Sequence, residues 1–154
     1  MKTLIVESEI GCSVETLFAF HADPANLPLI TPEAISVCIE QMPERLDKGS
    51  RAVLYIKRGL FRFRWHLRFD AVEAPCLIVD IAERSPFKSF RHEHRFVPVS
   101  KSACLLRDEV SFSLPLGRLG RLLEPLIARD LQAMFSYRHA ETKKRLEKRD
   151  IPRA

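Results

Sequence analysis

The sequence lacks the features that mark membrane, secreted and metal-cluster proteins. Its longest apolar runs are far too short to span a bilayer. The first residues, MKTLIVESEIG, carry a glutamate at position 7 and no apolar signal-peptide core, so a cytoplasmic location is expected. The four cysteines form no CxxC pair, which predicts reduced, mostly buried thiols rather than a zinc site or a disulfide framework.

Motifs for nucleic-acid binding are also missing. The net charge is +5, but lysines and arginines are spread along the chain without the aromatic residues of an RNA-binding module. The densest cluster, KKRLEKR at 143–149, ends a predicted helix, where cations complement the helix dipole. We therefore expect no DNA partner and no metal or redox cofactor. The charge leaves peripheral membrane contact or a macromolecular partner open, and the sequence does not indicate the oligomeric state.

The residues that are present follow regular patterns. The chain has 154 residues, of which 46% are hydrophobic and 29% charged, and this suits one globular domain with a sizeable core. Ser13 is expected to cap a short helix, and Asp23-Pro24 and Thr31-Pro32 are expected to begin short helical turns. Alternating apolar positions predict seven strands: TLIVESEI, ISVCI, RAVLYIKR, FRFRWHLRFDAVEA, CLIVDIAE, FKSFRHEHRFVPV and ACLLRDEVSFSLPL.

From Gly117 the apolar residues recur at three- and four-residue spacing. This period predicts a long amphipathic helix that runs to about residue 148, although Pro125 is expected to disturb its first turns. Strands joined by short turns predict an antiparallel sheet, and its apolar face needs the helix to cover it.

The order of elements resembles the START/Bet v 1-like superfamily, in particular its polyketide cyclase-like and coenzyme Q-binding bacterial branches. The resemblance covers nearly the whole chain and implies a single START/Bet v 1-like domain over residues 1–154. It implies an α+β helix-grip fold: a curved seven-stranded antiparallel sheet around a long C-terminal helix, with two short helices after the first strand. The segments that carry the resemblance are HADPANLPLITP, KGSRAVLYIKRG, RSPFKSFRHEHRFVPV, LRDEVSFSLPLG and RDLQAMFSYRHAETKKRL.

In such proteins an apolar cavity lies between the sheet and the long helix. The alternative for this chain is that the same side chains fill a solid core. By position, the resemblance implies a lining of aromatic and aliphatic residues from both layers: Phe63, Trp65, Phe90, Phe112, Leu131, Met134 and Phe135.

The segment FRHEHRF carries two histidines on one strand. His92 and His94 share a face with Phe90 and Phe96, which marks that face as inward, while Glu93 points outward. Because side chains alternate between the two faces of a strand, Glu93 faces away from both histidines and is not expected to form a hydrogen bond with them.

The partner of the histidines comes from the next strand. A three-residue hairpin loop at 100–102 sets Val99 opposite Ala103, and this register places His94 opposite Asp108. A shift by one residue turns charged side chains inward, which is costly. The sequence thus predicts a His94–Asp108 pair on the inner face, with His92 one step along the strand.

Three roles are open for this cluster. Ligand orientation is the favoured functional role, and it adds His92, His94 and Asp108 to the ligand-binding set. A hydrogen-bonded polar pair inside a solid core, without a function, is an equal alternative. General acid–base catalysis by His94, Asp108 and His92 is the alternative, although no nucleophile or oxyanion-hole motif accompanies them. Metal binding is the least favoured role: no further clustered ligand is apparent, since His66 lies on a polar strand face and His21 and His139 lie on helices.

The resemblance implies a function in non-covalent binding, with transport or sensing, of a small hydrophobic molecule such as a lipid, an isoprenoid quinone or an aromatic polyketide. The alternatives are a cyclase or dehydratase that uses the His–Asp pair, and a protein-interaction module without a ligand. A continuous apolar cavity that reaches His94 favours the first two functions, and a solid core favours the third.

Overall fold

A computed structural model describes residues 1–147, and its main feature is one antiparallel sheet that curves around a long helix. The sheet order is β1-β7-β6-β5-β4-β3-β2, so the first and last strands are neighbours, and the predicted seven-stranded helix-grip fold is confirmed. The strands are β1 (Lys2–Ile10), β2 (Ile35–Gln41), β3 (Arg51–Arg58), β4 (Phe61–Glu73), β5 (Leu77–Arg84), β6 (Ser89–Ser100) and β7 (Ala103–Ser113). The helices are α1 (Val14–Ala22) and α2 (Gly117–Glu147), with 3-10 turns at Pro24–Asn26 and Pro28–Ile30.

The long helix α2 crosses the concave side of the sheet and packs most closely against β1. Its buried stripe follows the predicted three- and four-residue spacing and includes Leu131, Phe135 and Leu146. The helix continues through Pro125, so the proline does not end it, although it lacks an amide donor. The predicted end at about residue 148 lies outside the described residues.

The segment after β1 begins with the predicted helix. Ser13 caps α1 and accepts a hydrogen bond from the Thr16 amide at 3.2 Å, and Asp23 in the same way caps the first 3-10 turn. Thr31-Pro32 begins a single hydrogen-bonded turn rather than a helix, and in it the Ile35 amide donates to the Pro32 carbonyl at 2.9 Å. There the Thr31 hydroxyl donates to the Leu27 carbonyl at 2.7 Å, and the chain turns directly into β2.

The register of β6 on β7 agrees with the prediction on the inner face. His94 lies opposite Asp108, Phe96 opposite Leu106 and Phe90 opposite Phe112. The loop differs, because Ser100 rather than Val99 pairs with Ala103. A bulge at Val99 takes up the extra residue, so the turn has two residues instead of three.

The cysteines are divided between core and surface. Cys12 and Cys104 are buried, whereas Cys38 and Cys76 are exposed, so the expectation of mostly buried thiols holds for half of them. Outward-facing Cys38 follows from the strand period, since its neighbours Val37 and Ile39 pack towards the core.

Candidate functional site

A cavity of about 450 Å³ lies between the sheet, α1 and α2. Its wall is mostly apolar, and one corner is polar. The structure places these predicted residues on the wall: Phe63, Trp65, Phe90, His92, His94, Asp108, Leu131, Met134 and Phe135. Phe112 does not line the cavity. It is fully buried beneath Phe87, with 5.6 Å between ring centroids, and fills the core between β7 and α2.

The apolar wall is built mainly by β4. Its inward row runs from Phe61 to Phe69 at every second residue, and all five side chains reach the cavity. Trp65 stands at the centre of this row and meets Phe90 edge to face at 4.8 Å. The period of a strand thus produces a continuous aromatic surface from one sequence segment.

Asp108 is the centre of the polar corner. It is 2% exposed, and its Oδ1 accepts a hydrogen bond from His92 Nε2 at 2.9 Å. His94 Nδ1 lies 2.6 Å from the same oxygen, although its alignment is poor for a hydrogen bond. The other oxygen, Oδ2, accepts from His139 Nε2 at 2.6 Å. Three imidazoles therefore surround one buried carboxylate.

A second carboxylate faces the same histidines from β5. Asp80 pairs with His92 in the sheet register, and its Oδ2 lies 3.5 Å from His92 Nδ1 and 3.8 Å from His94 Nε2. The sequence had indicated no further clustered ligand beside His92 and His94. The structure corrects this, because β5 lies next to β6 and brings Asp80 to the histidines.

Burial and charge shift the protonation of these groups. Burial disfavours the charged imidazole of His92, yet its hydrogen bonds to Asp108 and Asp80 raise its pKa to about 9. Burial and the neighbouring His92 lower the pKa of His94. Burial also opposes the ionised form of Asp108, but the surrounding histidines hold its pKa well below the ordinary value. Near neutral pH the corner thus pairs a charged His92 with an ionised Asp108.

Two further cavity residues, His21 and Arg138, each have a buried nitrogen atom without a hydrogen-bond partner in the described residues. Burial, followed by the nearby His94, lowers the pKa of His21 to about 3, so its imidazole is neutral. Its Nε2 atom is buried and has no hydrogen-bond partner within residues 1–147, and the same holds for Nε of Arg138. Burial lowers the pKa of Arg138, while Asp108 and Asp80 support its charge.

The outer face of β6 carries a row of charged side chains, Arg91, Glu93 and Arg95. Glu93 points away from the histidines, as parity indicated, but it is only 8% exposed. Arg91 and Arg95 bind its carboxylate and lower its pKa against the opposing effect of burial. The outer row is therefore an ion-pair cluster in which the two arginines are exposed and cover the carboxylate of Glu93.

Sequence reasoning missed Asp80, His139, His21 and Arg138 as parts of the site. Asp80 lies on the same face of β5 as Ile78, so the alternation along this strand would have predicted that Asp80 points inward. His139 continues the buried helical stripe of Leu131 and Phe135 at four-residue spacing.

Comparison with known proteins places the chain in a family. Residues 10–136 match the family model described as polyketide cyclase / dehydrase and lipid transport. No curated protein matches the sequence significantly.

Solved structures share the fold at low sequence identity. A protein from Thermus thermophilus is 14% identical, with a TM-score of 0.75 over 97% of this chain and 100% of that one. A norcoclaurine synthase point mutant from Thalictrum, in complex with a transition state analogue, is 16% identical, with a TM-score of 0.74 over 97% and 96%. A START superfamily protein from Mycobacterium smegmatis is 15% identical, with a TM-score of 0.69 over 92% and 97%. The match over most of its length shows that this chain belongs to the polyketide cyclase / dehydrase and lipid transport family.

Proposed function

We propose that the chain binds a small hydrophobic molecule in the cavity between the sheet and α2. The observation that carries this proposal is the cavity of about 450 Å³, whose wall is aromatic and aliphatic except at the His–Asp corner. Its volume falls in the range of about 300–1,000 Å³ that is usual for ligand pockets. Without a ligand, this volume would leave aromatic faces unpacked, which costs dispersion energy.

The polar corner indicates which chemical groups a ligand should carry. His94 and Asp80 are on the wall, and the buried Nε2 of His21 lacks a partner within the described part of the chain. A ligand with an apolar body and one oxygen-bearing end fits this distribution of polar groups. Lipids, isoprenoid quinones and aromatic polyketides share that chemistry.

Fluorescence tests the proposal directly, because Trp65 is the only tryptophan of the chain and lies on the cavity wall. The probe is 1-anilinonaphthalene-8-sulfonate, and binding in the cavity gives energy transfer from Trp65. The Val37→Phe change adds bulk to a cavity-lining position and is expected to weaken probe binding by about tenfold, or about 1.4 kcal/mol.

Ser36 supplies the matched control. It precedes Val37 on β2 and is exposed on the outer face, so Ser36→Phe adds the same ring outside the cavity and should leave binding unchanged. Equal binding by both variants, or no energy transfer in the original protein, would count against the proposal. Native mass spectrometry of protein purified from its host then identifies a co-purified ligand.

Catalysis is the second candidate function, because the His–Asp corner lies on the cavity wall. A neutral His94 beside Asp80 and Asp108 can exchange a proton with a bound ligand in an aldol-type cyclisation or a dehydration. The two functions separate in the His94→Phe variant. Retained binding with lost turnover of a bound polyketone indicates an enzyme, whereas the absence of any turnover in the original protein leaves a binding protein.

We also propose that the cavity mouth contacts an anionic lipid surface when the ligand is exchanged. Phe61, which lines the cavity, is 75% exposed, and Leu60 beside it is 98% exposed. The first turns of α2 present a second apolar group ahead of Ile127, another lining residue. Its members are exposed at helical spacing: Leu119, Leu122, Leu123 and Leu126. Exposed arginines alternate with them, which suits anionic headgroups.

A further inference from the structure

Three electron-rich atoms converge at one point of the cavity wall. Oδ2 of Asp80 lies 3.5 Å from His92 Nδ1 and 3.8 Å from His94 Nε2, and the three ligand atoms all lie within 4.8 Å of one another. The lone pairs of neutral imidazoles and a carboxylate repel each other. A cation shared between them, either a proton or a metal ion, relieves that repulsion.

The groups behind the histidines orient them towards this point. His92 Nε2 donates to Asp108 Oδ1, and His94 Nδ1 lies 2.6 Å from the same oxygen. Each imidazole therefore directs one nitrogen to Asp108 and the other to Asp80. Metal-binding histidines show this arrangement, in which a carboxylate behind the ring fixes its tautomer and raises its basicity. His139 holds the second oxygen of Asp108 and keeps that carboxylate in place.

We propose that Asp80, His92 and His94 bind a divalent transition-metal ion, with Asp108 as the carboxylate that positions both histidines. Two imidazoles and one carboxylate suit zinc, cobalt or ferrous iron. Metal–ligand bonds of about 2.0–2.2 Å bring tetrahedral ligand atoms to about 3.4 Å from each other. The two separations at Asp80 need a small contraction to reach that value, and the two imidazole nitrogens, which lie within 4.8 Å of each other, also move together when the ion binds.

The surroundings leave room for an open coordination position. The three side chains come from the neighbouring strands β5 and β6 and are mostly buried, with exposed fractions of 13%, 5% and 16% for Asp80, His92 and His94. All three line the cavity. Because residues 1–147 supply three donors here, the remaining positions of the ion are directed to the cavity, where an oxygen of a ligand can bind.

The two carboxylates of the corner can balance the charge of a metal ion. Asp80 and Asp108 both face the histidines, and Arg138 on α2 lies near both carboxylates. Near neutral pH His92 carries a proton, so a metal ion that binds here takes the place of that proton. The metal site does not depend on the proposed hydrophobic ligand, since all its donors belong to the protein.

Titration with cobalt and zinc tests the site. The untagged chain, stripped with a chelator, is titrated with Co²⁺ under visible absorption and with Zn²⁺ in a calorimeter. One equivalent of metal per chain is expected, with a d–d absorption band typical of low coordination number for Co²⁺. Asp108→Asn should weaken metal binding by about 10–100-fold. Asp80→Asn, which replaces the charged carboxylate ligand by a neutral amide, should weaken it at least as much.

His66→Asn is the matched control, because His66 lies on the polar face of β4, away from the lining of the cavity, and its loss should leave the affinity unchanged. Circular dichroism verifies folding, and His94→Gln replaces Asp80→Asn if the latter does not fold. The absence of a one-to-one site, or equal affinity in the Asp80 or His94 variant and the original protein, overturns the proposal. Binding of 1-anilinonaphthalene-8-sulfonate to the metal-free protein reports on the hydrophobic cavity separately.

Discussion

Asp108 shows how one buried side chain can organise a site. It lies on the middle of β7, where the strand period directs it inward among apolar neighbours. An ionised carboxylate at such a position is unfavourable unless several donors surround it. His92 and His139 donate to it directly, and His94 contacts it closely. The polar corner of the cavity therefore forms around Asp108, because its buried carboxylate needs hydrogen-bond donors.

Replacing Asp108 by alanine should destabilise the protein strongly. The change leaves two buried imidazoles without their acceptor, and the expected loss is about 3 kcal/mol in the free energy of unfolding. Asp108→Asn keeps a hydrogen-bond acceptor and should lower the free energy of unfolding by less. Urea unfolding followed by circular dichroism measures both changes.

The neighbouring Glu109 provides the comparison for Asp108. It lies on the outer face of the same strand, is about one-third exposed and pairs with Arg107 at 2.9 Å. Glu109→Ala should cost less than about 1 kcal/mol, because water can replace a partly exposed ion pair. A loss at Asp108 no larger than that at Glu109 would show that the buried network contributes little to stability.

At the level of elements, the sequence pattern predicted the structure correctly wherever a feature depends on a single strand, a single helix or one hairpin. The alternation of β6 and β7 correctly predicted their inner register and the outward direction of Glu93. Contacts between strands that are joined by irregular turns could not be predicted from the sequence. Asp80 reaches His92 only because β5 and β6 pair across the segment 85–88, whose serine and proline do not define a register. His139 meets Asp108 only when α2 has docked on the sheet.

The junction of β7 and α2 gives a prediction at this scale. Gly120 is buried in the first turns of α2, and a Cβ atom there would overlap the backbone oxygen of Pro115. In an open helix, Gly→Ala stabilises by about 1 kcal/mol. At position 120 the overlap reverses the sign, and Gly120→Ala is expected to cost about 1–3 kcal/mol.

Thermal unfolding of the Gly120→Ala variant measures this effect. Arg121 is exposed next to it, and Arg121→Ala serves as a control with little change in melting temperature. A Gly120→Ala protein as stable as the original would mean that the close approach of Pro115 to α2 relaxes without cost.

At the scale of the whole molecule, the apolar surface is concentrated around the open side of the cavity. Arg58 and Asp130 join the end of β3 to α2 there through a bidentate ion pair. Phe61 and Leu60 extend beyond this link from the β3–β4 hairpin, and the leucines of the first turns of α2 extend from the helix. No helix within residues 1–147 combines the length and apolarity needed to cross a bilayer. A lipid surface would thus be met by exposed side chains around the mouth.

Vesicle binding tests that arrangement. The protein is expected to sediment with vesicles of phosphatidylcholine and phosphatidylglycerol, and less with phosphatidylcholine alone, because the net charge is +5. Replacing Leu122 and Leu126 by serine should lower the affinity at least about tenfold, since burying each leucine in lipid contributes about 1.5 kcal/mol or more. Val97 and Val99, exposed on β6, give the control pair for the same change to serine. If both double variants sediment like the original protein, charge alone brings the chain to the surface. The apolar side chains at the mouth would then have no role in ligand exchange with a membrane.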